Sequence, residues 1–263
     1  MTEALLPPLV SVVLPTYNER ENIAPLIREL HHALHCEVET LVVDDASPDG
    51  TAQVVEHLSR EIRGVRLIRR SQRGLTGAIQ TGIDAACGEV VVWMDCDFSM
   101  PPTKVPELVA EVLQRGADAA IGSRFTHGGS VSSGGNDGLL VRLQKVLTRR
   151  LNRAAALLTS SDLRDWTSGF IAIRAPLIKQ IRLHGDYGEY FITLMAELVH
   201  RGAHCVELPY RCVPRRHGES KTASHPLGFL RLGTRYLRAL LAARRSIRGA
   251  TPRHGPQNDG SGR

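Results

Sequence analysis

Two carboxylates, Asp95 and Asp97, follow directly on the apolar run VVVWM and stand either side of Cys96. Alternation along an extended chain sends both side chains the same way. Converging carboxylates repel one another unless a cation sits between them. Hard oxygen ligands suit Mg2+ or Mn2+, which keep some waters and take further positions from a diphosphate. The implied ligand is a nucleotide-sugar or a similar diphosphate. Asp44-Asp45 closes a second apolar run, and Pro15-Thr16-Tyr17-Asn18-Glu19 follows a third. Asp49, Gly50 and Thr51 have a plain reading as a turn and helix cap, as do Asn18 and Thr16. That reading leaves Asp44 and Asp45 without a local need, so three polar strand ends on one edge point to a nucleotide cleft.

The elements that must carry these residues alternate along the chain. Residues 9–15 form a β-branched apolar run, and Ile23, Leu26, Ile27, Leu30 and Leu34 then recur at helical spacing over 20–34. The pattern repeats as 40–45 before 51–62, 65–69 before 75–87, 90–95 before 103–115, and 118–123. Such alternation predicts an α/β fold with a mainly parallel sheet covered by helices, whose ligands lie at the carboxyl ends of the strands. The third helix opens at RGLTGAIQTG, small residues suited to close packing or to approach by a ligand. Each helical glycine there, Gly77 and Gly82, costs about 1 kcal/mol and asks for such a reason. After Arg124 the stretch HGGSVSSGGNDG reads as a loop able to close over a site. Helices are expected at 139–158, 175–182, 189–201 and 226–248, and strands at 169–173 and 204–213. The expected organisation is a domain over 1–222, a basic amphipathic helix over 223–248, and a disordered tail over 249–263.

Of 33 Lys and Arg against 27 Asp and Glu, nine basic residues lie from Ser220 onward, opposed only by Asp259. The body is therefore nearly neutral, and an even basic coat for nucleic acid is disfavoured. Over 226–248, Leu227, Leu230, Leu237 and Leu241 form a stripe among arginines. Such a helix either lies in a membrane interface or docks its leucines on the core with a solvated basic face. The helix at 139–158 offers the same choice. The five cysteines are odd in number and form no CxxC pair, which predicts reduced thiols in a cytosolic chain. Met1-Thr2-Glu3 lacks the start of a secretory signal, and no apolar run approaches the roughly 18 to 20 residues of a membrane span. Membrane contact is expected to be peripheral, at the cytoplasmic face.

PTYNERENI (15–23), DDASPDGT (44–51), DCDFSMPP (95–102), GSR (122–124), TSGF (167–170) and RRHGESK (215–221) occur in that order. Together they resemble family-2 glycosyltransferases of GT-A fold, nearest to the dolichyl- and polyprenyl-phosphate mannosyltransferases. The resemblance implies that Pro15, Tyr17, Glu19, Val43 and Asp45 hold the base and ribose of a nucleotide-sugar, with GDP-mannose the expected donor. It implies that Asp95, Asp97, the Cys96 backbone and Ser99 hold a metal, Mg2+ or Mn2+, and the diphosphate. Arg124, Arg215 and Lys221 would neutralise donor and acceptor phosphates, and Asp97, Arg124, Arg215 and Lys221 would form the catalytic set. Cys96 and Met100 stand where the family usually has Ala and His. Many relatives carry a C-terminal transmembrane domain that this chain lacks, which leaves room for a separate membrane-protein partner.

The acceptor decides the mechanism. A polyprenyl phosphate is already an anion and needs positioning and charge screening, whereas a hydroxyl needs a carboxylate base. Direct displacement at the sugar carbon inverts its configuration. Asp165 and Glu189 are the spare carboxylates that a soluble hydroxyl acceptor, or a UDP-glucose-type reaction on one, would require. A silent binding protein recruited by its basic end is the reading from another class, and the intact DCD, GSR and GESK elements argue against it.

Overall fold

The computed structural model describes residues 10–132, 139–159, 162–218, 234–236 and 238–241, with the backbone alone for 139–144. Runs rich in Val and Ile take the extended backbone that β-branched side chains favour. They give β1 Val10–Thr16, β2 Val38–Asp44, β3 Val65–Arg69, β4 Val90–Trp93 and β5 Ala119–Ser123, then β6 Ser130–Val131, β7 Ile171–Arg174, β8 Cys205–Pro209 and β9 Arg211–Cys212. Between them lie α1 Arg20–Ala33, α2 Thr51–Glu61, α3 Leu75–Ala85, α4 Val105–Leu113, α5 Leu139–Thr159, α6 Ala175–Ile178 and α7 Tyr190–His200.

Seven strands form one sheet in the order β3-β2-β1-β4-β7-β5-β8. Its pairs are parallel except those of β7, which runs antiparallel to β4 and β5. The register pairs Thr16 with Asp44 and Val13 with Trp93, so β2, β1 and β4 end along one edge. The strand expected over 204–213 divides at Tyr210. Its N–H donates to the Ser123 carbonyl and its own carbonyl accepts from Ser130, after which β9 pairs with β6 in a small second sheet. Part of the glycine-rich loop thus gains order from a partner strand, while 133–138 lies outside the described residues.

Alternation divides the core between the two faces of the sheet. Val12, Leu14, Val90 and Val92 meet Leu26 and Leu30 of α1, Val55 of α2 and Leu108 of α4. Val13, Val91 and Trp93 meet Ile79 and Ile83 of α3, Ala155 of α5, and Phe191 and Leu194 of α7. Burying each such side chain contributes about 1.5–3 kcal/mol. The two helical glycines of α3 now have their reason. A Cβ at Gly82 would overlap the Val13 side chain, and one at Gly77 would lie 2.5 Å from the Arg70 guanidinium. Close approach of α3 to β1 offsets the helix penalty.

Residues 234–236 and 238–241 are helical. Ala239 and Leu240 are buried in the same core cluster as α7, whereas Leu241 is exposed. Of the two choices for the C-terminal helix, core docking therefore holds for Ala239 and Leu240; Leu227, Leu230 and Leu237 lie outside the described residues, as does the tail. No helix among the described residues is long and apolar enough to cross a membrane.

Candidate active site

Each of the three adjacent strand ends turns through a left-handed residue that carries a side chain: Asn18 (φ 57°), Ala46 (φ 55°) and Phe98 (φ 64°). Such backbone costs about 1–3 kcal/mol and persists where its surroundings over-determine it. At the first two turns the surroundings are a local network. Ser47 Oγ donates to Asp44 Oδ1 at 2.5 Å, the Ser47 N–H donates to Asp44 Oδ2 at 3.0 Å, and the Asn18 N–H donates to Ser47 Oγ at 3.0 Å. Asp44 therefore does have a local need, which spacing alone did not reveal. At the third turn the Arg216 guanidinium covers the Phe98 ring at 4.0 Å. Asp49 closes the turn before α2 by accepting from the Thr51 N–H at 3.0 Å, so the plain turn reading of that motif holds, while the cap position itself is Gly50 and carries no side-chain bond.

These turns surround a cavity of about 500 Å³. Of the residues singled out from sequence, Pro15, Tyr17, Glu19, Asp45, Asp95, Cys96, Asp97 and Arg215 line it. Asp45 is fixed from the far side, accepting from Arg70 Nη1 at 2.5 Å and from the Gly74 N–H at 2.8 Å. Glu19 is buried and accepts from Asn22 Nδ2 at 2.8 Å. The Cys96 thiol, buried, contacts the Pro15 carbonyl at 3.4 Å and ties the end of β4 to that of β1. Met100, which stands where the family usually has His, accepts the Asp95 N–H on its sulfur at 3.4 Å. Both departures thus fasten the acidic loop.

Asp97 is buried; its Oδ1 accepts the Ser99 N–H at 2.9 Å and its Oδ2 lies 3.1 Å from Arg215 Nη2. Its carbonyl accepts from Arg216, and the Ser99 carbonyl from Val213, so the segment after β9 is laced onto the acidic loop. Enclosure by the cavity walls, followed by the charge of Asp97, pushes the Asp95 carboxyl up to about 7, with Glu19 adding to it; Arg215 and Arg124 pull the other way. Asp95 is nonetheless open to solvent within the cavity, so water shares in that balance. Among the described residues no cluster of three or more His, Cys, Asp or Glu is arranged to hold a metal ion. Two carboxylates are oxygen donors of the kind that suit a hard divalent cation completing its shell with water and diphosphate oxygens.

Arg124 lies elsewhere. Its Nε and Nη2 form a bidentate pair with Asp165 at 2.9 and 2.8 Å, and its backbone N–H donates to the same carboxylate at 2.9 Å. Asp165 is fully buried, and this pairing holds the Arg124 guanidinium charged. Thr167 of the TSGF motif receives Arg124 Nη2 at 2.9 Å and Asn152 Nδ2 of α5 at 2.9 Å. Glu189 is buried as well, accepting the backbone N–H groups of Asp186 and Tyr187 at 3.1 Å each. Arg124, Asp165 and Glu189 do not line the cavity, and neither does Val43, which is fully buried in the core. Lys221 lies outside the described residues.

Arg73, Leu75, Asp186 and Tyr187 line the cavity without having been singled out. The Arg73 guanidinium lies 4.2 Å over the Tyr17 ring. The small-residue run that it opens was the signal, since a helix able to approach a ligand brings its first residues with it.

A mostly parallel sheet with an acidic pair at the end of its central strand, one member paired with an arginine on the wall of a nucleotide-sized cavity, is the arrangement of a GT-A sugar transferase. Residues 11–181 match the family model "Glycosyl transferase family 2", and the chain belongs to that family. It is 36% identical over 216 residues to a dolichol-phosphate mannosyltransferase of Pyrococcus furiosus, covering 81% of this chain and 58% of that protein. It is 34% identical to a polyprenol monophosphomannose synthase of Mycolicibacterium smegmatis, covering 80% of this chain and 79% of the other. An undecaprenyl-phosphate mannosyltransferase of Micrococcus luteus is 32% identical, with 83% and 89% covered. The chain thus spans little more than half of the first of these relatives and most of the other two. Among solved structures, glucosyl-3-phosphoglycerate synthase of Mycobacterium tuberculosis with Mn2+, UDP-glucose and phosphoglyceric acid superposes with a TM-score of 0.67 at 22% identity, covering 90% of this chain and 80% of that one. That likeness is one of fold.

Proposed function

We propose that the protein transfers a hexose, mannose from GDP-mannose, to a polyprenyl monophosphate with inversion at the sugar carbon. The observation that carries this reading is the Asp95, Asp97 and Arg215 constellation at the end of β4, in a cavity floored by the ends of β1 and β2. The three mannosyltransferase relatives support the donor sugar and the lipid-phosphate acceptor.

The geometry also favours a phosphate acceptor over a hydroxyl. The two spare carboxylates suited to act as base, Asp165 and Glu189, are buried and occupied by Arg124 and by backbone N–H groups. An acceptor that arrives as an anion needs neither. Asp95 and Asp97 would hold Mg2+ or Mn2+, and the Mn2+ in a neighbour of the same fold accords with this. Bound there, the cation would offset charge growing on the leaving nucleoside diphosphate. Tyr17, Glu19, Asp45 and Arg73 bind the nucleoside end. Arg215 lines the cavity and takes the anion-facing charge, joined through its motif by Lys221; Arg124 reaches that task only by giving up Asp165. Such an acceptor sets the protein peripherally at the cytoplasmic face of a membrane. Within α5, Val146, Leu147 and Leu157 are exposed among Lys145, Arg149, Arg150 and Arg153, a composition suited to anionic head groups.

The test is to incubate the protein and Mn2+ or Mg2+ with radiolabelled GDP-mannose or UDP-glucose and a polyprenyl phosphate, then extract into organic solvent. Label from GDP-mannose in the lipid phase is expected. Label from UDP-glucose alone would replace the donor, and none from either would sink the proposal.

A further inference from the structure

The described end of the chain packs against a wall of the cavity. Leu240 is 2% exposed and sits in the cluster that holds Tyr190 and Phe191 at the start of α7. Tyr236 packs on that cluster, and its hydroxyl fills the space that a Cβ at Gly188 would need. Arg235 Nη2 lies 3.3 Å from Asp186 Oδ2, and its guanidinium is 5.9 Å from the Tyr187 ring centroid. Asp186 and Tyr187 both line the cavity. From behind, Glu189 holds their backbone N–H groups, and Trp93 Nε1 of β4 donates to the Tyr190 hydroxyl at 2.9 Å.

We infer that the described helical residues 234–236 and 238–241 act as a clamp that positions the Asp186–Tyr187 wall beside the acidic pair, with Tyr236 as the positioning residue. The exposed Arg235–Asp186 pair adds little, because solvent screens it on both sides. The buried contacts of Tyr236 and Leu240 carry the clamp. The Trp93–Tyr190 bond sets the wall against β4, the strand that delivers Asp95, and hence at the reacting end of the cavity. The nucleoside end, at Tyr17, Asp45 and Arg73, belongs to the turns after β1, β2 and β3. Loosening the clamp therefore lowers turnover and spares nucleotide affinity, a consequence that rests on the transferase reading; the clamp itself does not.

The full chain is compared with Tyr236→Ala and with Gly188→Ala, which disturbs the same contact from the loop side; Arg238→Ala, an exposed position on the same turn, is the control. Hydrogen exchange over 184–192 is expected to rise about tenfold in both test variants while β1 and β4 keep their protection. With a short-chain polyprenyl phosphate, kcat should fall about tenfold or more and the Kd for GDP should stay within about twofold. If Tyr236→Ala loses protection throughout, Gly188→Ala decides. Unchanged exchange over 184–192 in Gly188→Ala overturns the clamp, and so does raised exchange with kcat preserved. If the wild type transfers no sugar from any donor, the functional reading falls, and the exchange arm alone decides the clamp.

Discussion

Asp165→Asn separates a structural carboxylate from a catalytic base. The native carboxylate accepts the Arg124 backbone N–H, Nε and Nη2 and the Thr167 N–H, and it is fully buried. Asparagine keeps the shape, removes the charge and turns an amide donor toward a guanidinium that is itself only 17% exposed. Breaking a buried pair in this way costs about 3–5 kcal/mol, because the remaining charge is left uncompensated. With a urea dependence of about 3 kcal/mol per molar, the unfolding midpoint should fall by roughly 1–1.7 M. Tryptophan fluorescence is the natural probe, since Trp93 and Trp166 are both fully buried and Trp166 follows the altered residue. Specific activity of the folded fraction should stay within about an order of magnitude. A general base would behave in the opposite way, losing about 10²–10⁴ in kcat with the midpoint nearly unchanged. A midpoint shift below about 0.3 M refutes the assigned role, and a large kcat loss beside it would restore the hydroxyl-acceptor mechanism.

Two further outcomes follow from the cavity. Without metal, Asp95 titrates at about 7 in the folded protein against an ordinary value of 3.8. The native state then holds the extra proton between those values, so metal-free stability declines as pH rises from about 4 to 7 and is level above. A divalent cation needs the carboxylate, so its apparent affinity should climb by up to about tenfold per pH unit as pH approaches 7. Calorimetric Mn2+ titrations at pH 6 and 8 check this, and equal affinities at both would refute it. Arg73→Ala removes the cation from above the Tyr17 ring and should weaken nucleoside diphosphate binding by about five- to tenfold, at a cost of about 1–1.4 kcal/mol. An unchanged Kd would place the base elsewhere.

What was legible in the sequence is what chain-local periodicity fixes. A buried apolar run has only one way to end, so Asp45, Asp95 and Asp97 fell on the cavity edge as soon as the strands were drawn. The direction of β7 was not legible, because its buried run Ile171-Ala172-Ile173 reads the same forwards and backwards. Nor was the docking of Leu240, because the stripe spacing singles out Leu241, which is exposed, and leucines between arginines suit a lipid surface and a protein core equally well. The arginines state the limit most clearly. Arg124 and Arg215 both stand in motifs and both were expected at phosphates, yet one is locked to a carboxylate 41 residues away and the other reaches the cavity beside Asp97. A guanidinium carries the same charge in either place. Each pairs with a buried carboxylate, so which one lines the cavity is decided by where that carboxylate lies, Asp97 on the cavity wall or Asp165 away from it, and nearness across a sheet is set by strand order, which residue spacing does not encode.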